Sequence, residues 1–276
     1  MPTINKTTFK PRAKAGGALG RIQSVTTLPL DGIKMIVYGQ SKTGKTSLVA
    51  TFPKPCLILG TEDGTRSVKN VRGLDFVMLE KSTDLDELVP MLREGKYKSI
   101  GLDTAGGLQD LILKEVLGLD EIPIQKSWGL TDRQTWGTVG AQTKERLRSL
   151  LDLAGNGTHV VVIAYERNFN EEGGNSDLIF PTVGAALTPS VAGWLNAASH
   201  YICQTYIRGE TERTEMAVGT KKVPMVQKTG RKQYCLRVGP HEVYMTGFRC
   251  LRKGTDLPEC IVDPDYQKIV KLIGIE

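Results

Sequence analysis

Two glycines, a lysine and a hydroxyl stand at a spacing that suits a chain of phosphates in Gly39-Gln40-Ser41-Lys42-Thr43-Gly44-Lys45-Thr46. The run follows an apolar stretch, Ile33 to Tyr38, and precedes a segment able to form a short helix, so a strand would enter it and a helix would leave it. A loop feeding a helix start offers unpaired backbone N–H groups and the positive end of a helix dipole. Gly39 and Gly44 let the backbone turn closely, with no Cβ between it and the phosphates. Lys45 would reach the β- and γ-phosphates, the Thr46 hydroxyl would hold Mg²⁺, and Ser47 would complete the binding run. The expected ligands are ATP and Mg²⁺.

Phosphate chemistry needs carboxylates as well. Ser99-Ile100-Gly101-Leu102-Asp103-Thr104 is an apolar strand ending in Asp, the placement expected of a second Mg²⁺ group. Asp103 would also serve as the cap of the helix expected over Leu108–Leu117; downstream of a phosphate loop, the magnesium role is favoured. Thr104 follows Asp103 where one large branch of these enzymes has Glu, so the group that orients the attacking water must come from elsewhere. Glu62, just past the strand Cys56–Gly60, is the candidate; the alternative is a surface acid in a Glu-Asp-Gly turn.

The elements that must position these groups read as an α/β alternation. Continuous apolar runs at Ile33–Tyr38, Cys56–Gly60, Asp75–Leu79, Ser99–Thr104 and His159–Ala164 suit a parallel sheet covered on both faces. The expected order puts the His159–Ala164 strand between the phosphate-loop strand and the Asp103 strand. Helices are expected over Thr83–Arg93, with Leu85, Leu88, Val89 and Leu92 as the buried stripe, and over Trp136–Ala154 and Pro189–Asn196. Asp263-Pro264 starts a last helix through Ile273. Residues 118–135 form a long connection holding Trp128, and Asn168 to Thr182 is a polar, glycine-rich hairpin or loop. Tyr201–Ile207, Thr214–Val218 and Gln233–Val238 alternate like antiparallel strands.

The 276 residues suffice for one large α/β domain over 31–276, preceded by a basic, flexible arm over 1–30. The net charge of +6 is unevenly placed. The arm carries Lys6, Lys10, Arg12, Lys14 and Arg21 with no acid, and from Lys221 to Lys253 nine Lys or Arg face Glu242 alone. Two basic segments on a near-neutral core point to a polyanion, most simply nucleic acid; the alternative is a solvated face. Five scattered cysteines form no C-x-x-C pair, no stretch reaches the ~20 apolar residues of a membrane span, and the basic N-terminus has no apolar signal core. A cytoplasmic protein without a membrane partner is expected.

With Gly39–Thr46, Glu62, Asp103-Thr104, Trp136-Gly137, Ala164-Tyr165-Glu166 and the late Arg249 … Leu257-Pro258-Glu259 in view, the chain resembles the RecA-like phage ATP-binding proteins over roughly residues 30 to 273. That group includes the Rad-type single-strand annealing recombinases of bacteriophages. The resemblance implies a RecA-like P-loop ATPase core with a mostly parallel sheet flanked by helices, here with a C-terminal antiparallel β extension. It implies ATP hydrolysis with Glu62 as catalytic base, rings or filaments with ATP between subunits, single-stranded DNA binding in recombination, and a bacterial host cytoplasm. A single-strand-binding protein is a further partner expected on that basis. Two positions depart from the pattern. Tyr165 or Glu166 stands where a Gln or related sensor is usual, and the segment before Leu257-Pro258 is long, which leaves Arg249 competing with Arg252 and Lys253.

A basic group from the neighbouring subunit would neutralise charge on the γ-phosphate, with Arg249, Lys228, Arg231 and Lys232 as candidates. Lys221, Lys222, Lys228, Arg231 and Lys232 would equally serve DNA phosphates, and Trp128 would stack a base or pack inside. Two other readings stay open: a helicase-loader or motor-accessory ATPase acting on a protein ring, and a nucleotide-switched binding protein with slow turnover.

Overall fold

The computed structural model describes residues 31–119, 133–172, 179–218, 221–250 and 256–275. The N-terminal arm, Trp128, Arg252 and Lys253 therefore lie outside the described residues.

Five parallel strands make the centre: β1 (Lys34–Gly39), β2 (Cys56–Gly60), β3 (Leu74–Met78), β4 (Ser99–Asp103) and β5 (His159–Ala164). Four of them are nearly buried end to end, as continuous apolar runs require. β8 (Tyr201–Val218) joins the other side of β1 in parallel, β9 (Lys221–Arg237) returns antiparallel beside it, and the short β10 (Gly247–Phe248) pairs antiparallel with the start of β8. β11 (Cys260–Val262) closes that edge, so the order is β11-β9-β8-β1-β5-β4-β2-β3. β5 lies between β1 and β4 as expected.

Successive residues of each central strand serve opposite layers. Ile36, Tyr38, Leu57, Leu59, Ile100 and Leu102 pack under α2 (Asp84–Arg93), α3 (Ala105–Leu117), α4 (Arg133–Leu151) and α5 (Pro189–Ala198). Met35, Val37, Ile58, Val161 and Ile163 pack under α1 (Lys45–Val49) and α6 (Tyr266–Ile273). α1 sits close because β4 carries Gly101, where a Cβ would stand 2.6 Å from Val49 Cγ1.

Three expectations change. The late apolar runs are not three antiparallel strands: Tyr201–Ile207 and Thr214–Val218 belong to one strand, β8, whose first five residues extend the parallel sheet. Past Tyr206 and its partner Cys235 the β8–β9 pair leaves the sheet as a two-stranded ribbon, in register to Val218 and Lys221 with one shift between Gly209 and Thr211. Its β8 strand, Ile207 to Val218, spans about 40 Å at ~3.3 Å per residue. β3 is not covered on both faces; it is an edge strand with Phe76 and Met78 exposed. The long connection is shorter at its end than expected, since α4 already begins at Arg133. The hairpin or loop expected over Asn168 to Thr182 is a hairpin with wider bounds, β6 (Glu166–Glu172) and β7 (Ile179–Ala185).

His159, at the start of β5, ties the residue before β1 to the first residue of α6. Its Nδ1 accepts from Ile33 N–H at 3.1 Å, so Nε2 bears the proton and donates to the Tyr266 hydroxyl at 3.2 Å. Burial pushes this imidazole down to about 4 from 6.5. The unfolded chain thus takes up a proton before the folded one does. Stability from the neutral ring is complete above about pH 6.5 and is lost as pH falls through about 4, a change on the order of 3 kcal/mol. Denaturant midpoints measured from pH 7 to pH 4 should fall accordingly, and His159→Gln should flatten that slope.

Candidate active site

The loop between β1 and α1 is shaped by contacts at both ends. Gly39 passes so close to β8 that a Cβ there would stand 2.4 Å from both the carbonyl oxygen and Oγ1 of Thr205. Gly44 takes a left-handed conformation, φ 88°, and Lys42 does so as well at φ 66°. Thr43 Oγ1 donates to Gln40 O at 2.8 Å and shares a 2.7 Å hydrogen bond with Thr205 Oγ1. The first helical bond runs from Leu48 N–H to Gly44 O at 2.9 Å, so the N–H groups of Lys45, Thr46 and Ser47 precede the ladder. Those are the donors a phosphate chain needs at this place. Gln40, Ser41, Lys42 and Ser47 are exposed on the loop and first turn, while Thr43 and Lys45 are buried.

Lys45 is 7% exposed, and its Nζ donates to Gly39 O at 2.9 Å and Gln40 O at 2.6 Å. Burial lowers its pKa, and the neighbouring charges of Asp103, Glu166 and Glu62 oppose that shift. Thr46 Oγ1 donates to Asp103 Oδ2 at 2.6 Å. Burial raises the Asp103 pKa, the Thr46 hydrogen bond lowers it, and the charge of Glu62 raises it further.

Of the two roles weighed for Asp103, the capping one is taken by its neighbour. Thr104 caps α3, its Oγ1 accepting from Gly107 N–H at 3.1 Å, so the Asp103 carboxylate is not used for the helix. Facing it is Gly64, where a Cβ would stand 3.2 Å from Asp103 Oδ2 and 3.6 Å from Thr46 Oγ1. A hydroxyl and a carboxylate that approach a glycine so closely form an oxygen donor set that fits Mg²⁺, which takes its other ligands from phosphates and water.

Glu62 follows β2, the strand next to β4, and so stands at the same sheet edge. Its side chain is exposed, and Oε1 accepts from the Tyr165 hydroxyl at 2.6 Å. The Tyr165 ring lies under the Lys45 ammonium, 4.9 Å from ring centroid to Nζ. The Tyr165 hydroxyl is pushed up to about 12 by burial, then by the hydrogen bond to Glu62 and the charges of Glu62 and Asp103.

The other candidates scatter. Arg249 N–H bonds His200 O at 3.3 Å, and His200 N–H bonds Lys34 O at 2.8 Å. That places Arg249 beside the first residue of β1, about 16 Å of strand away from the loop at ~3.3 Å per residue. Within one chain Arg249 and Lys45 are at opposite sheet edges. Arg231 and Lys232 are exposed on the ribbon, while Lys221, Lys222 and Lys228 are on β9 with side chains outside the described residues. At the ribbon's root the Tyr234 ring packs on Gly44, and Lys232, two residues on, shares that face of the strand.

Sequence reasoning passed over a polar chain behind the loop. Gln204 Nε2 donates to Glu166 Oε2 at 3.2 Å, Arg237 Nε donates to Gln204 Oε1 at 3.1 Å, and Arg237 Nη1 pairs with Glu259 Oε1 at 2.8 Å. The Arg237 guanidinium lies between the rings of Tyr206 and Tyr244, 4.7 and 4.8 Å from their centroids. The available signal was Gln204-Thr205, two polar residues interrupting the apolar run Tyr201–Ile207. Both are buried, and buried polar groups need partners.

Asp103→Asn tests the metal assignment. The substitution should lower Mg²⁺-dependent turnover by ~100-fold or more, since a metal contributes several kcal/mol to such reactions. It should also raise the melting temperature of the nucleotide-free protein, because a buried charge is removed while Thr46 keeps an acceptor. Calorimetry and a phosphate-release assay on one preparation read both.

Among the described residues no helix is long and apolar enough to cross a membrane. No curated protein matches the chain. A protein-family model described as AAA domain matches residues 31–250, which takes in the phosphate loop, Glu62, Asp103 and the root of the ribbon. The chain belongs to the AAA domain family of P-loop ATPases.

Proposed function

We propose that this protein is a RecA-like ATPase that binds single-stranded DNA and promotes strand annealing in homologous recombination. The observation that carries the ATPase part is the meeting of Lys45, Thr46, Asp103 and Glu62 at one sheet edge from three separate segments. ATP would lie along Gly39–Ser47, and Mg²⁺ would be held by Thr46 and Asp103, where it supplies charge neutralisation of the phosphates. Glu62 would orient a water for in-line attack on the γ-phosphorus, with Lys45 drawing negative charge from the transferred group.

The DNA part is supported by the ribbon. It rises from the same edge as the phosphate loop and carries Lys221, Lys222, Lys228, Arg231 and Lys232 on β9. A narrow basic ribbon suits sequence-independent contact with phosphates. Arg249, at the opposite edge of its own chain, fits a role toward a neighbour's nucleotide in a ring or filament. The strand order supports the RecA-like reading too, with β5 between the phosphate-loop strand and the Asp103 strand.

The test is Mg²⁺-dependent ATP hydrolysis with and without single-stranded DNA at low and moderate salt. Stimulation that fades as salt rises is expected, from the counterions that phosphate contacts release. Glu62→Gln should cut turnover by ~100-fold or more with ATP binding retained. Hydrolysis indifferent to DNA would replace this reading with a loader acting on a protein ring, and intact turnover in Glu62→Gln would remove Glu62 from the mechanism.

A further inference from the structure

β5 lies between β1, which leads into the phosphate loop, and β4, which ends in Asp103. The residue that leaves β5 is therefore delivered to the middle of the site. That residue is Tyr165, 37% exposed. Its backbone is fixed from the returning hairpin, with Ala186 N–H donating to Tyr165 O at 2.7 Å and Glu166 paired to Ala185. A ring anchored in this way has little freedom to move away from the groups it touches.

It touches two. The ring face lies 4.9 Å below the Lys45 ammonium, and the hydroxyl donates to Glu62 Oε1 at 2.6 Å. A core aromatic would be buried among apolar side chains; this one is at the rim and spans the phosphate-binding cation and the candidate water-orienting carboxylate. Glu62 sits in an exposed bend without regular structure, where a free carboxylate would sample several rotamers. With Oε1 held, Oε2 is left for a water.

We propose that Tyr165 is a positioning residue for hydrolysis: its hydroxyl holds Glu62 in the orientation that directs the attacking water, and its ring sets that orientation relative to Lys45. The proposal rests on the reading of Glu62 given under Proposed function. It assigns to a tyrosine at the end of β5 the alignment of carboxylate and cation, and it makes the hydroxyl, rather than the ring, the part that turnover depends on.

Tyr165→Phe isolates the hydroxyl, because it keeps the ring beneath Lys45 and removes one exposed atom. The measurements are kcat and KM for Mg²⁺-ATP in the full chain for Tyr165→Phe, Glu62→Gln and the double variant. The expected result is a kcat lowered ~10- to 100-fold in Tyr165→Phe, the worth of one hydrogen bond to a charged group, with KM changed less than about twofold. The double variant should be no slower than Glu62→Gln alone, since both changes break one unit. Losses that multiply in the double variant would show that Tyr165 acts independently of Glu62 and would overturn the proposal. So would an unchanged kcat in Tyr165→Phe alongside collapse in Glu62→Gln, which leaves the Glu62 reading standing. Intact turnover in Glu62→Gln would remove the Glu62 reading and this proposal together.

Discussion

A lysine ammonium buried at the end of a parallel sheet is costly unless negative charge is brought to it, and much of the site answers that constraint. Lys45 is held by two loop carbonyls, and its surroundings are Asp103, Glu166 and Glu62. Those carboxylates arrive from β4, β6 and the bend after β2, so the cation collects residues spread over more than a hundred positions. The neutral carbonyls are weaker partners for an ammonium than a phosphate oxygen would be. A pocket arranged this way is complementary to an anion.

The same constraint reaches outward through Glu166. Gln204 joins it to Arg237, and Arg237 is clamped by Glu259 and by two tyrosine rings. Arg237 is the last residue of β9, and Tyr206 is the first residue of β8 beyond its pairing with β1. The root of the ribbon is thus bonded to the carboxylate next to Lys45, and Tyr234 packs the ribbon onto Gly44. The phosphate loop and the ribbon share one continuous set of packed and hydrogen-bonded groups, which is the physical requirement for one to feel the other.

Much of this was legible in the sequence, and the limits have physical causes. The phosphate loop and the Asp103 strand are written in local patterns, glycine spacing and an apolar run that only a doubly covered strand needs, whereas the place of β5 followed from an expected strand order and not from a local signal. β8 was misread because Arg208 to Thr214 is polar on both faces. A ribbon that has left the sheet has no core side, so the period-2 signal vanishes. Edge strand β3 keeps an apolar run while exposing Phe76 and Met78, so the run alone did not report its position. Thr205 and Gln204 meet their partners across separations of 162 and 38 residues, which no window on the sequence contains. Tyr165 was visible as a departure from a familiar pattern, but its bond to Glu62 spans 103 residues.

Every role proposed for this chain requires Mg²⁺-ATP to bind at the sheet edge around Lys45. Isothermal titration of the full chain with a non-hydrolysable ATP analogue, with and without Mg²⁺ and with Lys45→Ala as the comparison, addresses that most directly. One equivalent per chain, tightened by Mg²⁺ and abolished in Lys45→Ala, is the predicted result. Equal binding in Lys45→Ala, or binding indifferent to Mg²⁺, would contradict it.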